Sequence, residues 1–215
     1  MTPEEISRVL DDLQGRFELK NLELRAPDLR LDDWEKRMAV QALPGAVIHM
    51  SLLTSLSLPE NFVTEFLLLH ISLLPRLEAL TVSPAPMANK LFGEESRGFV
   101  SLRSLSVPNE QLLCRFLLYP LQNLEALKVG NLGRSSLRKL SRNLTNLRQL
   151  HIEGSRFSPQ EAFVLGACFR LEDIEIVVQN PLKTDDLHLH HFRDMFRNLR
   201  SLSIVAAGAG PPEHR

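Results

Sequence analysis

Asn146-Leu147-Arg148-Gln149-Leu150-His151-Ile152 decides the architecture of this chain. Its apolar residues read Leu, two residues, an aliphatic, one residue, an aliphatic. The same triplet precedes it as Leu19-Leu22-Leu24, Leu53-Leu56-Leu58, Leu77-Leu80-Val82, Leu102-Leu105-Val107 and Leu124-Leu127-Val129. It follows as Leu171-Ile174-Ile176 and Leu199-Leu202-Ile204. The middle residues of these eight copies lie 34, 24, 25, 22, 23, 24 and 28 residues apart, too even for chance in a chain with 42 leucines among its 215 residues. Such self-similarity marks a repeat architecture.

The last two apolar residues of each triplet are two apart, so both point to one face of a strand. The first turns inward just before the strand. No single triplet can bury itself, but stacked triplets make a parallel sheet over one continuous Leu/Val/Ile core. The segments between strands must return the chain over the other side, and several have helical signals. Pro59-Glu60-Asn61 precedes the apolar run Phe62 to Leu74, and Asn109-Glu110 precedes Leu112, Leu113, Phe116 and Leu117. Ser158-Pro159-Gln160-Glu161 has a cap, a proline in first position and a glutamate in third. Thr184-Asp185-Asp186 opens Leu187 to Phe196. The 34-residue gap is expected to hold a longer helix from Asp32 to Leu43 with Trp34, then an irregular Pro44-Gly45 turn. Pro84 to Phe99 contains Pro84, Pro86, Gly93 and Gly98 and reads as a loop.

The triplets resemble the leucine-rich repeat family, in the long, helix-containing form of the ribonuclease-inhibitor-like class. The resemblance spans residues 17–205. It implies an α/β solenoid, a horseshoe with about eight parallel strands on the concave face and helices or loops on the convex face. An asparagine after the strand recurs only loosely, as Asn61, Asn109, Asn131 and Asn180, so uneven turns are expected. Residues 1–16 are expected to form a capping helix: Thr2 can cap it, with Pro3 first and Glu5 third, and it would run to Leu13. Residues 206–215, small and Gly/Pro-containing, are expected to be a disordered tail. No comparable cap follows Ile204, and an uncovered edge strand is a liability. The expectation is that a partner or self-association closes that edge.

Composition excludes several classes of protein. Apolar residues at 44% with so much leucine exclude a disordered chain. The longest apolar runs, such as Phe66-Leu67-Leu68-Leu69, break too soon to span a membrane. The acidic start Met1-Thr2-Pro3-Glu4-Glu5 has no basic and apolar regions of a secretory signal. Cys114 and Cys168 are too few for a disulfide framework, so the expected location is reducing, the cytoplasm or the nucleus. A net charge of −1 makes no electrostatic case for nucleic acid.

Candidate chemistry is sparse. His188 and His191 share a helix face, with Asp185, Asp186 and Asp194 nearby, but the spacing matches no metal motif and no metal is expected. Gly130, Gly133 and Gly154 form no phosphate cradle, and Ser135-Ser136 lacks a His/Asp companion. Cys114 has no activating neighbour, and Cys168 reads as a buried hydrophobe. Arg134, Arg138, Lys139 and Arg142 have helical spacing and read as a solvated face. No catalytic residue and no cofactor are expected, and the chain reads as a non-enzyme.

The residue after each first leucine reads Glu78, Arg103, Glu125, Arg148, Glu172 and Arg200 from the third repeat on. Strands about 4.8 Å apart should set these alternating charges side by side, mainly for register and solubility. In the resembling fold the remaining strand residues face the concave surface. They are Asn21, Glu23 and Arg25 in the first repeat, then mostly small: Ser55, Ser57, Ala79, Thr81, Ser83, Ser104 and Ser106. Later they become polar and charged: Lys128, Gln149, His151, Glu153, Asp173 and Glu175. The last three make an acidic cluster suited to a protein with a basic segment.

Leu102-Arg103-Ser104-Leu105-Ser106-Val107 and the stretch quoted at the outset are most similar to the repeat region of F-box proteins. Cys168-Phe169-Arg170-Leu171 resembles their cysteine-containing repeats. Pro3-Glu4-Glu5-Ile6 with Leu10 resembles an F-box opening, yet the first repeat begins by Leu19, too soon for a complete F-box. The resemblance implies a protein-binding module, either a ubiquitin-ligase substrate-receptor-type repeat domain with cullin-ligase components as partners, or an inhibitor, scaffold or complex subunit with no ubiquitin link. The chain is expected to be a segment of a longer protein or a relative that lost the box.

Overall fold

Each triplet becomes a strand. The computed structural model describes residues 12, 18–25, 43–84, 98–130, 132, 140, 144–153, 170–178 and 198–206. The strands are β1 (Asn21–Glu23), β2 (Ser55–Pro59), β3 (Ala79–Ser83), β4 (Ser104–Val107), β5 (Ala126–Gly130), β6 (Gln149–Glu153), β7 (Asp173–Val178) and β8 (Ser201–Ala206). They lie in chain order in one open sheet of eight parallel strands. Among the described residues the molecule is thus an α/β protein with few helices, compatible with a solenoid. The chain divides into two compact units, residues 1–104 and 105–215.

In the first unit Leu22, Leu56 and Leu80 stand in register. In the second, Leu127, Leu150, Ile174 and Leu202 do the same. The first leucine of each triplet is buried just ahead of its strand from Leu53 to Leu171. Ahead of the first and last described strands, Leu19 and Leu199 are half-buried, each strand having one strand neighbour among the described residues.

The backbone repeats as faithfully as the side chains. In six repeats the carbonyl after the first leucine accepts two consecutive N–H groups from the next strand. Lys20 takes those of Thr54 and Ser55 at 2.8 and 3.0 Å, and Thr54 takes those of Glu78 and Ala79, both at 2.9 Å. Glu78, Glu125, Arg148 and Glu172 act likewise toward residues 103–104, 148–149, 172–173 and 200–201. The side chain just before the first leucine adds a second stitch in two repeats. Ser101 Oγ donates to the Pro75 carbonyl and Asn146 Nδ2 to the Gln122 carbonyl, both at 2.6 Å.

Two helices are described whole. In α1 (Glu65–Ser72) the Thr64 hydroxyl accepts from Leu67 N–H at 3.1 Å. The start therefore differs from the expected Pro59-Glu60-Asn61. Pro59 ends β2 in extended backbone, and residues 60–62 form a short 3-10 turn. Leu67, Leu68 and Ile71 face the core, while Phe66, Leu69 and Leu73 are exposed. α2 (Glu110–Phe116) begins at Asn109-Glu110 as expected, and Asn109 is its cap, accepting from Leu112 N–H at 2.9 Å. Asn61 does a different job: its Oδ1 is buried without a hydrogen-bond partner.

The expected irregular Pro44-Gly45 turn is corrected. Residues 43–47 are helical. Leu43, Ala46, Val47 and Met50 recur at helical spacing and are all buried, and that burial outweighs the local preference of Pro and Gly for turns. A methyl group added at Gly45 would meet no atom within 4 Å. Gly45→Ala is expected to raise stability by about 0.5–1 kcal/mol, read as a higher urea midpoint with unchanged slope. A drop in the midpoint would contradict helical backbone at this position.

The expected helices at residues 2–13, 32–42, 158–161 and 184–196 lie outside the described residues, apart from Asp12, which is helical. So do most of the loop from Pro84 to Phe99, Cys168, Asn131, Asn180, the His188 cluster, the basic residues from Arg134 to Arg142, and the tail beyond Ala206. Among the described residues, no helix is long and apolar enough to cross a membrane.

Candidate interaction surface

The face of the sheet opposite the core carries the residues between the apolar positions. Register sets them in rows across the strands of the second unit. Lys128, His151, Glu175 and Ser203 form one row. Ala126, Gln149, Asp173 and Ser201 form the row before it, and Gly130, Glu153, Val177 and Val205 the row after. Four of the six polar candidates in this unit are bound to one another. Lys128 Nζ lies 2.6 Å from Glu153 Oε1. His151 Nε2 lies 3.0 Å from the same oxygen, and its Nδ1 lies 2.7 Å from Glu175 Oε2. The network ties β5, β6 and β7 together through side chains alone.

His151 is its centre, with 22% of its side chain exposed. A neutral imidazole donates from one nitrogen, whereas the protonated ring donates to both carboxylates at once. Glu153 is held below the ordinary carboxylate range, first by its bond to Lys128 and then by its bond to His151. The lowered carboxyl adds stability that is complete above the ordinary carboxylate pKa and is lost as pH falls through the lowered value. With nearly half of Glu153 exposed, solvent screening keeps this small, within about 1 kcal/mol.

Glu153, Asp173 and Glu175 were expected to form an acidic cluster, and the register alters that picture. Lys128 and His151 interleave with two of the three acids, so the patch is a mixed-charge network with Asp173 beside it. Each residue was legible in the sequence but the pairing was not, because the contacts are set by register across about one repeat. The shared signal is position: Lys128, His151 and Glu175 all follow the middle aliphatic residue of their triplet.

In the first unit Glu23 and Arg25 pair with each other. Arg25 Nε and Nη2 donate to Glu23 Oε1 and Oε2 at 2.8 and 3.2 Å. That bidentate contact lowers the Glu23 carboxyl and raises the Arg25 guanidinium from their ordinary values. Asn21 is exposed, in register with Ser55. The chain matches no known family model and no curated protein. Among the described residues, no three His, Cys, Asp or Glu side chains gather in a way that could hold a metal ion. Cys114 lies half-buried in α2, outside any disulfide.

The alternating charges at the strand starts are visible in the second unit. Glu172 lies between Arg148 and Arg200, with Arg148 Nη1 and Arg200 Nη1 each 3.4 Å from one of its carboxylate oxygens. Such exposed pairs contribute about 0–1 kcal/mol each, so this row serves register more than stability.

Proposed function

We propose that the chain is a non-enzymatic protein-interaction module of the leucine-rich repeat type. It binds a partner with a basic segment through the strand face opposite the core. The observation that carries the reading is the Lys128–Glu153–His151–Glu175 network, a preorganised set of charges across two adjacent rows of an exposed sheet face. Charges held in place by their neighbours lose little freedom on binding, and they reward a partner of matching pattern. A basic partner competes with Lys128 and His151 for the carboxylates, so binding weakens as salt rises.

The test is affinity purification of the tagged chain from its own cells, with E153K/D173K/E175K beside it. The triple reversal is expected to reduce recovery of the stoichiometric partner about tenfold. Arg148→Glu, a change in the neighbouring row, is expected to leave recovery unchanged. Equal recovery by the triple variant would reject this face as the binding surface. A cullin-ligase adaptor recovered with a second protein favours a substrate receptor. A single partner without ligase components favours an inhibitor, scaffold or complex subunit.

A further inference from the structure

Among the described residues β8 is the last strand of the sheet and β7 is its sole strand neighbour. The inner triplets are closed on both sides and buried. In the last triplet Leu199, Leu202 and Ile204 remain half-buried, and Val205 beside them is 42% exposed. The repeat itself specifies what would complete this edge. At the position after the first leucine, six carbonyls each accept two consecutive N–H groups from the following strand, and Arg200 holds that position in the last repeat. Among the described residues no N–H reaches its carbonyl. The next strand in such a series places an aliphatic residue beside Leu202 and another beside Ile204. The charges alternate Arg148, Glu172, Arg200, and the Arg200 side chain is 78% exposed, so the next position in the row favours an acid.

We propose that the β8 edge receives an extended segment of a partner protein by parallel strand addition. Its pattern is acid, any residue, aliphatic, any residue, aliphatic, with the acid beside Arg200. Backbone hydrogen bonds would supply affinity, and the two aliphatic slots with Arg200 would supply selectivity. The chain's own repeats carry this pattern, as Glu125-Ala126-Leu127-Lys128-Val129 and Glu172-Asp173-Ile174-Glu175-Ile176 show. A second copy stacked head to tail is disfavoured, because its Lys20 would stand beside Arg200 as a like charge. Residues 207–215, Ala-Gly-Ala-Gly-Pro-Pro-Glu-His-Arg, do not contain the pattern.

The probe is a capped, fluorescent peptide with the sequence of residues 124–130, titrated into the full chain and followed by anisotropy and backbone hydrogen exchange. Binding is expected, with slowed exchange in residues 201–206. A peptide with lysine in place of its glutamate is expected to bind about fivefold more weakly. In the Arg200→Glu chain that preference should reverse, while the far-UV spectrum stays as in the parent. E153K/D173K/E175K should bind the peptide as the parent does, so failure here is separable from failure of the face proposed above. The proposal is overturned by no binding at about 1 mM peptide, by equal affinity for the two peptides, or by a preference that survives Arg200→Glu. It is equally overturned if the chain dimerises with protection of residues 201–206, since a second copy then occupies the edge.

Discussion

Phe116→Ala is expected to cost about 4 kcal/mol. Phe116 is fully buried on α2, and this short helix packs on β5. Leu112 and Leu113 are buried on the same helix. Removing the ring leaves a cavity that neighbouring aliphatic side chains, held in register by the sheet, cannot collapse to fill. Urea unfolding should show the loss as a lower midpoint with an unchanged slope. Hydrogen exchange should place the weakening in α2 and β5, because stability in a stacked array is a sum of local terms and nearest-neighbour contacts. Leu118→Ala, two residues on, is the control. Leu118 is 72% exposed, and its loss should stay within about 0.5 kcal/mol. Similar costs for the two variants would mean that α2 does not face the core as described.

Gly130→Ala should cost about 3 kcal/mol. Gly130 ends β5, and a methyl group there would collide with the Pro108 carbonyl oxygen and stand 3.0 Å from its carbonyl carbon. The obstacle is backbone, so no rotamer change relieves it and the strand end must move. Adding Pro108→Ala should not restore stability, because the offending oxygen belongs to the main chain. Rescue by that second change would show the conflict to lie with the proline ring instead. The contrast with Gly45 is instructive. Both glycines sit inside regular elements, yet one added methyl is expected to stabilise and the other to destabilise.

That contrast separates two kinds of information in this chain. The triplets were legible because burial on one face of a strand imposes a local spacing on the residues, whatever lies beyond. Each triplet of the chain, from Leu22 to Ile204, stands in or beside a strand at the place the spacing assigns. The helix after Asn109-Glu110 was legible for the same reason, since the partner of its Asn109 cap is only three residues away. The start of α1 was less so. Its run Phe66-Leu67-Leu68-Leu69 is apolar on every side, and only packing selects Leu67 and Leu68 for the core.

By itself, then, the sequence determined the number, order and core residues of the strands, because stacked units with one shared apolar pattern can bury it in only one way. Tertiary structure decided what depends on distances between repeats. It carried a helix through Pro44 and Gly45, because four buried side chains outweigh two turn-prone residues. It also bound Lys128, Glu153, His151 and Glu175 into one network. Residues more than twenty positions apart become neighbours only through strand register, and no local pattern records which oxygen a neighbour will reach.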